Sequence, residues 1–385
     1  MLKNLTMCLS DMRLLAKLSN CEDRPSIAII GGVGAVGAYF SAKLVKSSNL
    51  SILGRKHSAH LSQIQKDGLT VITSSGKTTT LAAYFSYVGE SYTDISRLQD
   101  IVFLSLKQPD ITAGVAAQIL RISAPDALIV FVGNGIPPFF MQGLEQPKTH
   151  IEAVDPGGKI AQLFSSCSVV LLCPTIAANI QSCGVVKVSR PEEKIKVSLA
   201  TTSMVRPKNL ERLLRLLNAA GIATEISDGQ AHRMVLEKLQ FALSVNMMSG
   251  VLNKPLGDIF YAPEFQPLLR YIVAVIGAVG DALKIKGVRS YEQFAKTEVT
   301  RTHFSSFYKD LVAGKTTEAN AFLGATLELA DFTRSQELGT LPDLSPLLKL
   351  KALVDKRIDG GVISDEELQV LLRSAARTIM PMAKL

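Results

Sequence analysis

Tryptophan is absent from this chain, and its five cysteines, Cys8, Cys21, Cys167, Cys173 and Cys183, form no CxxC pair. An odd count without a secretory signal reads as reduced thiols in a cytoplasmic protein, mostly filling the core. A disulfide framework is excluded. No cluster of His, Cys and carboxylates has metal-ligand spacing, so no metal is expected. No block of five or six like charges occurs either: 42 Lys and Arg are scattered among 34 Asp and Glu, for a net charge of +8. That distribution disfavours nucleic acid and suits an enzyme that collects anionic ligands. Long apolar runs are missing too. The longest uncharged stretch, Ile160 to Val186, is broken by Gln162, Ser165, Ser166, Ser168, Pro174, Asn179, Gln181 and Ser182, short of the roughly 20 continuous apolar residues a spanning helix needs. No membrane association is expected.

What is present is a globular composition, 47% hydrophobic and 20% charged over 385 residues, a length that fits two domains. Residues 1–24 hold apolar and basic positions broken by Asn4, Asp11, Glu22 and Asp23. They read as a helical extension, not a targeting peptide. Strand-like runs at Ser26–Ile30, Leu50–Leu53, Ile101–Leu106, Ala127–Val132 and Val169–Leu172 alternate with helical or polar connections, which implies a parallel sheet with helices on its faces. Val185–Val188 and Ile195–Leu199, separated by a charged turn, read as a hairpin closing that sheet. After about Asp228 the strand signals stop. The expected division is therefore an extension at 1–24, an α/β domain at 25–228 and an all-α domain at 229–385.

The first strand runs directly into Gly32-Val33-Gly34-Ala35-Val36-Gly37 and then a helical pattern. In that context the spacing has a mechanism. Gly32 permits the tight turn, Gly34 lets the backbone approach a pyrophosphate, and Gly37 lets helix and strand pack closely. Phosphates would then sit on the N–H groups of Ala35, Val36 and Gly37 at the positive end of the helix. An NAD-binding turn places an acid about 20 residues on, at the end of the second strand. Here that strand ends Leu53-Gly54-Arg55-Lys56-His57, and Arg55 lies 18 residues after Gly37. A guanidinium suits a 2′-phosphate, so the expected cofactor is NADPH.

Three segments are dense in small polar groups: Ser105-Leu106-Lys107, Gly133-Asn134-Gly135, and Lys238 through Asn246. The first two fall at strand C-termini, where open α/β sheets bind ligands. On a regular helix Lys238 and Asn246 stand about 12 Å apart along the axis and roughly 80° around it. A fourth segment, Ser305-Ser306-Phe307-Tyr308-Lys309-Asp310, leads to Gly314-Lys315-Thr316-Thr317-Glu318.

Taken in order, from about Ser26 to Leu329, these segments resemble the ketopantoate reductase family. The resemblance rests on the GVGAVG turn, Arg55 at the strand end, the SLK of Lys107, the NG of Asn134, the KL of Lys238 and the SSxxxDxxxGKxTE pattern ending at Glu318. It implies a Rossmann-type dinucleotide-binding domain followed by an all-α domain for substrate and any homodimer interface, with NADPH reducing the ketone of a small-molecule 2-oxo acid. By the same resemblance Lys238 is the catalytic lysine, and Glu318 the acid that orients the substrate hydroxyl and the lysine. Asn246 and Ser306 bind substrate, Asn134 sits near nicotinamide and substrate, and Arg55 with Lys107 holds the cofactor phosphate. A related hydroxy-acid or opine-type dehydrogenase, or a silent NADPH-binding sensor, would share this plan.

The chain departs from the family pattern in four places. Ala242 stands where a second asparagine is common, and Met247 where proline follows the later asparagine. The NG motif continues into Ile136-Pro137-Pro138-Phe139-Phe140, and Asp155-Pro156-Gly157-Gly158 forms an added turn. These departures predict a less polar substrate pocket, with Phe139 and Phe140 bringing apolar bulk to the strand ends.

Overall fold

A computed structural model describes residues 24–81, 84–202, 204 and 206–379. The extension expected at 1–24 lies almost wholly outside them. The chain divides into two compact units that are discontinuous in sequence. One comprises the residues up to Leu106, Ala117–Val132 and Ser166–Asp228. The other comprises Lys107–Ala116, Gly133–Ser165 and everything from Gly229 on. The expected contiguous α/β block at 25–228 is thus interrupted twice: the chain that leaves two strand ends groups with the helical unit.

The first unit runs in chain order as β1 (Ser26–Ile30), α1 (Ala35–Leu44), β2 (Asn49–Leu53), α2 (Ala59–Asp67), β3 (Leu69–Ile72), β4 (Thr78–Leu81), β5 (Tyr87–Gly89), β6 (Gln99–Leu104), α3 (Ala113–Ile122, whose residues up to Ala116 group with the second unit) and β7 (Ser123–Phe131). The sheet β5-β2-β1-β6-β7-β8 is parallel throughout, and it continues from β8 (Ser168–Pro174) through an antiparallel β11 (Lys196–Thr201) to β12 (Ala223–Ser227). Its central strands are apolar on both faces; all five residues of β1 are buried, as expected where helices cover a parallel sheet.

The expected hairpin does not form. Val185–Val188 (β10) pairs with β9 (Ala178–Ser182) and, in parallel, with β3, in a separate four-stranded sheet, while β11 joins the main sheet beside β8. Local alternation identified both strands but not a partner more than 100 residues away in the chain. Helix α1 packs against strands of both sheets, so its Tyr39, Phe40 and Leu44 are buried. The cysteine expectation also needs correction: Cys167 and Cys173 are half-buried and Cys183 is exposed.

The second unit contains no strand among the described residues. In it lie α4 (Lys159–Leu163), α6 (Ala231–Phe241), α7 (Met247–Leu252), α8 (Leu256–Phe260), α9 (Gln266–Ala282), α10 (Tyr291–Phe294), α11 (Ser306–Val312), α12 (Ala325–Ser335), α13 (Ser345–Ile358) and α14 (Asp365–Ile379); α5 (Lys208–Ala219) belongs to the first unit. Two π-helical turns interrupt this pattern, Ala242–Asn246 between α6 and α7 and Asn320–Gly324 before α12. Helix α9 buries Leu268, Leu269, Ile272, Val275, Ile276 and Val279, the i, i+3, i+4, i+7 stripe of a core helix. Pro263–Ala282 is the only described helix long and apolar enough to cross a membrane, and most of its apolar stretch is buried within the protein.

Candidate active site

The glycine turn is built as its spacing requires. Gly31 and Gly32 donate to the Leu53 carbonyl at 2.9 and 3.1 Å, and Gly34 donates to Gly31 at 2.8 Å. A Cβ on Gly32 would stand 2.8 Å from the Ile29 carbonyl oxygen, and one on Gly37 2.4 Å from that of Gly31. Neither position admits a side chain. Helix α1 starts at Gly34 with no side-chain cap and no acid in its first turn. The helix itself thus offers no side-chain anion to its leading N–H groups and positive dipole end, which suits a pyrophosphate. Arg55 is exposed beyond the end of β2.

The other candidates meet within the second unit. Gly133, Asn134 and Gly135 follow β7, and Gly135 takes φ 75°, where a Cβ would lie 2.7 Å from the Ala321 carbonyl oxygen. Ile136 donates to that same carbonyl at 2.9 Å. The glycine thus seats this loop on the π-turn that follows Glu318, which explains the NG pair locally. Asn134 Nδ2 donates to Glu318 Oε2 at 3.5 Å. Lys238 Nζ donates to the Gly133 carbonyl at 2.6 Å, so its ammonium is directed at the loop that carries Asn134.

Glu318 is 6% exposed. Burial pushes its carboxyl above the usual carboxylate range; the Asn134 amide, the charges of Lys238 and Lys107 and the Gln108 N–H act in the opposite direction. A buried acid facing two ammonium groups suits proton handling. Lys107, expected at the cofactor phosphate, forms an ion pair with Asp310. Its charge acts on Glu318 from within the helical unit.

The π-turn changes the geometry expected of Lys238 and Asn246. An i→i+5 turn holds one extra residue, so about one 100° step drops out of the separation. The two positions fall from roughly 80° apart to roughly 20°, on nearly one face. Ser244 Oγ donates to the Gln240 carbonyl inside this turn. One turn earlier Arg289 Nη2 donates to the Glu237 carbonyl at 2.7 Å and Nε to Gln240 Oε1 at 2.8 Å, while Gln240 Nε2 returns a bond to the Arg289 carbonyl at 3.0 Å.

Ser306 is exposed at the first position of α11, whereas its neighbour Ser305 is buried. Ser305 Oγ accepts from Tyr308 N–H at 3.0 Å and donates to the Asn246 carbonyl at 2.8 Å. Ser305 is thus a cap that ties α11 to Asn246. Arg289 carried no recognisable sequence signal for a role here, whereas Gln240 lies in the Lys238–Asn246 segment and Asp310 in the SSxxxDxxxGKxTE pattern without a role assigned to either. Ala242 is 2% exposed, and Phe139 and Phe140 are 3% and 2%. The two rings pack edge-on against Phe164 and His232. They are core residues, which corrects the expectation that they bring bulk to a pocket.

A parallel α/β unit with a glycine turn, joined to a helical unit in which half-buried Lys238 and Asn134 gather at the buried Glu318, defines a dinucleotide-binding reductase fold. The family model described as ketopantoate reductase PanE/ApbA matches residues 27–200, and that of its C-terminal part matches residues 230–334. The chain belongs to the ketopantoate reductase family. A 2-dehydropantoate 2-reductase of Mesorhizobium japonicum is 28% identical over 308 residues, 78% of this chain and 90% of that relative. The solved ternary structure of D-mandelate dehydrogenase with NADH and anilino(oxo)acetate matches 87% of this chain and 99% of its own with a TM-score of 0.67 at 17% identity. The crystal structure of 2-dehydropantoate 2-reductase from Methylococcus capsulatus matches 86% of this chain and 97% of its own with a TM-score of 0.64 at 20% identity. These two likenesses establish the fold.

Proposed function

We propose that this protein is an NADPH-dependent reductase that converts the ketone of a 2-oxo acid to a 2-hydroxy acid, with 2-dehydropantoate as the leading substrate. The observation that carries this reading is the convergence of Lys238, Asn134 and buried Glu318 on one loop, in a chain whose family match spans both units. The chemistry NADPH would supply when bound is a hydride for the carbonyl carbon. The chain's residues do the rest. Negative charge develops on the carbonyl oxygen, and the Lys238 ammonium donates a proton to it, becoming the neutral amine. Glu318 holds the substrate hydroxyl and the lysine in register. Asn246 binds substrate from the face it shares with Lys238, and the Ser306 hydroxyl contacts the carboxylate. On the cofactor side, Gly32, Gly34, Ala35, Val36 and Gly37 receive the pyrophosphate, and Arg55 the 2′-phosphate.

A second reading is a dehydrogenase for a more apolar 2-hydroxy acid, favoured by the likeness of the fold to that of D-mandelate dehydrogenase. One experiment separates the two: NADPH oxidation across a panel of 2-oxo acids that differ in hydroxyl and alkyl groups, with the product identified. The proposal expects a 2-hydroxy acid and the highest kcat/KM with 2-dehydropantoate. Preference for an apolar 2-oxo acid supports the second reading, and no turnover with any member contradicts both.

A further inference from the structure

The end of β2 carries no acid in sequence, yet the fold supplies one in space. Strand β5 runs parallel to β2 with Leu53 opposite Gly89, and Gly54 N–H donates to the Gly89 carbonyl at 3.0 Å. The next residue after that edge strand is Glu90, which leaves the sheet beside residues 55–57. Those residues form a turn closed by Ser58 N–H on the Arg55 carbonyl at 3.3 Å, with His57 in the left-handed region at φ 57°. Amides at the middle of such a turn point outward and serve as anion donors. Here one of them is taken: His57 N–H donates to Glu90 Oε2 at 3.2 Å.

We infer that Glu90 is the residue that limits this protein's discrimination between NADPH and NADH. The inference rests on the dinucleotide reading of the glycine turn. A 2′-phosphate bound by Arg55 needs positive potential and N–H donors at the strand end. Glu90 places a fixed negative charge there and occupies an amide that the phosphate would use. The ribose 2′-hydroxyl of NADH, by contrast, is a donor that a carboxylate accepts. Arg55 and Glu90 therefore favour opposite cofactors from adjacent strand ends. The selectivity of the protein is the difference between them, smaller than Arg55 alone would give.

The test is the dissociation constant of each cofactor, measured by calorimetry on the full chain, for the native protein, Glu90→Gln and Glu90→Ala. Glutamine removes the charge and keeps an acceptor for the His57 amide, whereas alanine removes both. The ratio of NADH to NADPH dissociation constants is expected to rise roughly tenfold in Glu90→Gln, about 1.4 kcal/mol, and at least as far in Glu90→Ala. An unchanged ratio in both variants, with both cofactors still bound, overturns the role of Glu90. Failure of the native protein to bind either dinucleotide overturns the cofactor reading itself.

Discussion

Asn134 and Glu318, 184 residues apart in the chain, meet at 3.5 Å with the asparagine amide donating to a carboxylate that is almost wholly buried. The contact exists because Gly135, at positive φ, lets the loop after β7 settle on the π-turn that follows Glu318. Substituting Gly135 by alanine therefore acts at the site through packing. A Cβ 2.7 Å from backbone oxygen cannot be absorbed by a side-chain rotation, so Gly135→Ala should cost about 1–3 kcal/mol. Loss of turnover should accompany the lower denaturation midpoint. An unchanged midpoint in urea would show that the loop has room to shift.

Glu318 sets the pH dependence. Its carboxyl is displaced upward by burial, so the folded protein binds its proton more tightly than the unfolded chain. The sign follows: at pH values above the raised value the buried charge opposes folding, and below the ordinary carboxylate range the penalty vanishes. Glu318→Gln should therefore raise the thermal midpoint near neutral pH and leave it little changed in acid. In kcat the native protein should lose activity as pH falls through the raised value, and the glutamine variant should lack that limb. A stabilisation that is the same at every pH would contradict the assignment.

Arg289 holds the helix that carries Lys238. Its guanidinium is largely buried against two neutral oxygens, the Glu237 carbonyl and Gln240 Oε1. Leucine at 289 leaves Gln240 Oε1, on a wholly buried side chain, without that donor, at about 1–3 kcal/mol. Arg289→Leu should lower stability and reduce kcat more than it raises KM, because Arg289 braces the helical turn that carries Lys238. Arg289→Lys, with one donor group in place of a planar fork, should recover part of the stability and less of the kcat. Equal recovery of both would make Arg289 a packing residue only.

Ala242, a departure predicted to make the substrate pocket less polar, lies in the π-turn and is 2% exposed. Ala242→Asn buries an amide in a packed helix and should destabilise by about 1–3 kcal/mol. Urea unfolding of the variant checks this directly. Unchanged stability with altered selectivity among 2-oxo acids would restore the pocket role.

The glycine turn was legible in sequence because each glycine answers to a constraint within a few residues: a carbonyl oxygen, a close strand, a helix start. The parallel sheet and the helical second half followed from periodicity for the same local reason. What escaped was set by distant pairing. Val185–Val188 has strand character in any context, but its partner β3 was fixed by tertiary packing. Phe139 and Phe140 read as pocket residues because they follow the NG motif, yet Phe164 and His232 were available to bury them. A 3.6-residue period also cannot reveal a π-turn, so the near-coincidence of Lys238 and Asn246 on one face emerged only from the backbone. Glu90 was invisible in the stretch after β2 because a neighbouring strand supplies it.

The central claim is that hydride from NADPH reaches the carbonyl carbon of a 2-oxo acid while Lys238 delivers the proton. It is tested most directly with NADPH deuterated at the transferable position, following deuterium in the product by mass spectrometry for the native protein and Lys238→Ala. The account predicts a 2-hydroxy acid carrying deuterium on the carbinol carbon, and a rate about 10² to 10⁴ lower in the variant with NADPH affinity nearly unchanged. Product without deuterium, or a variant that keeps more than about a third of the native rate where a positioned acid is worth at least about 10², would contradict it.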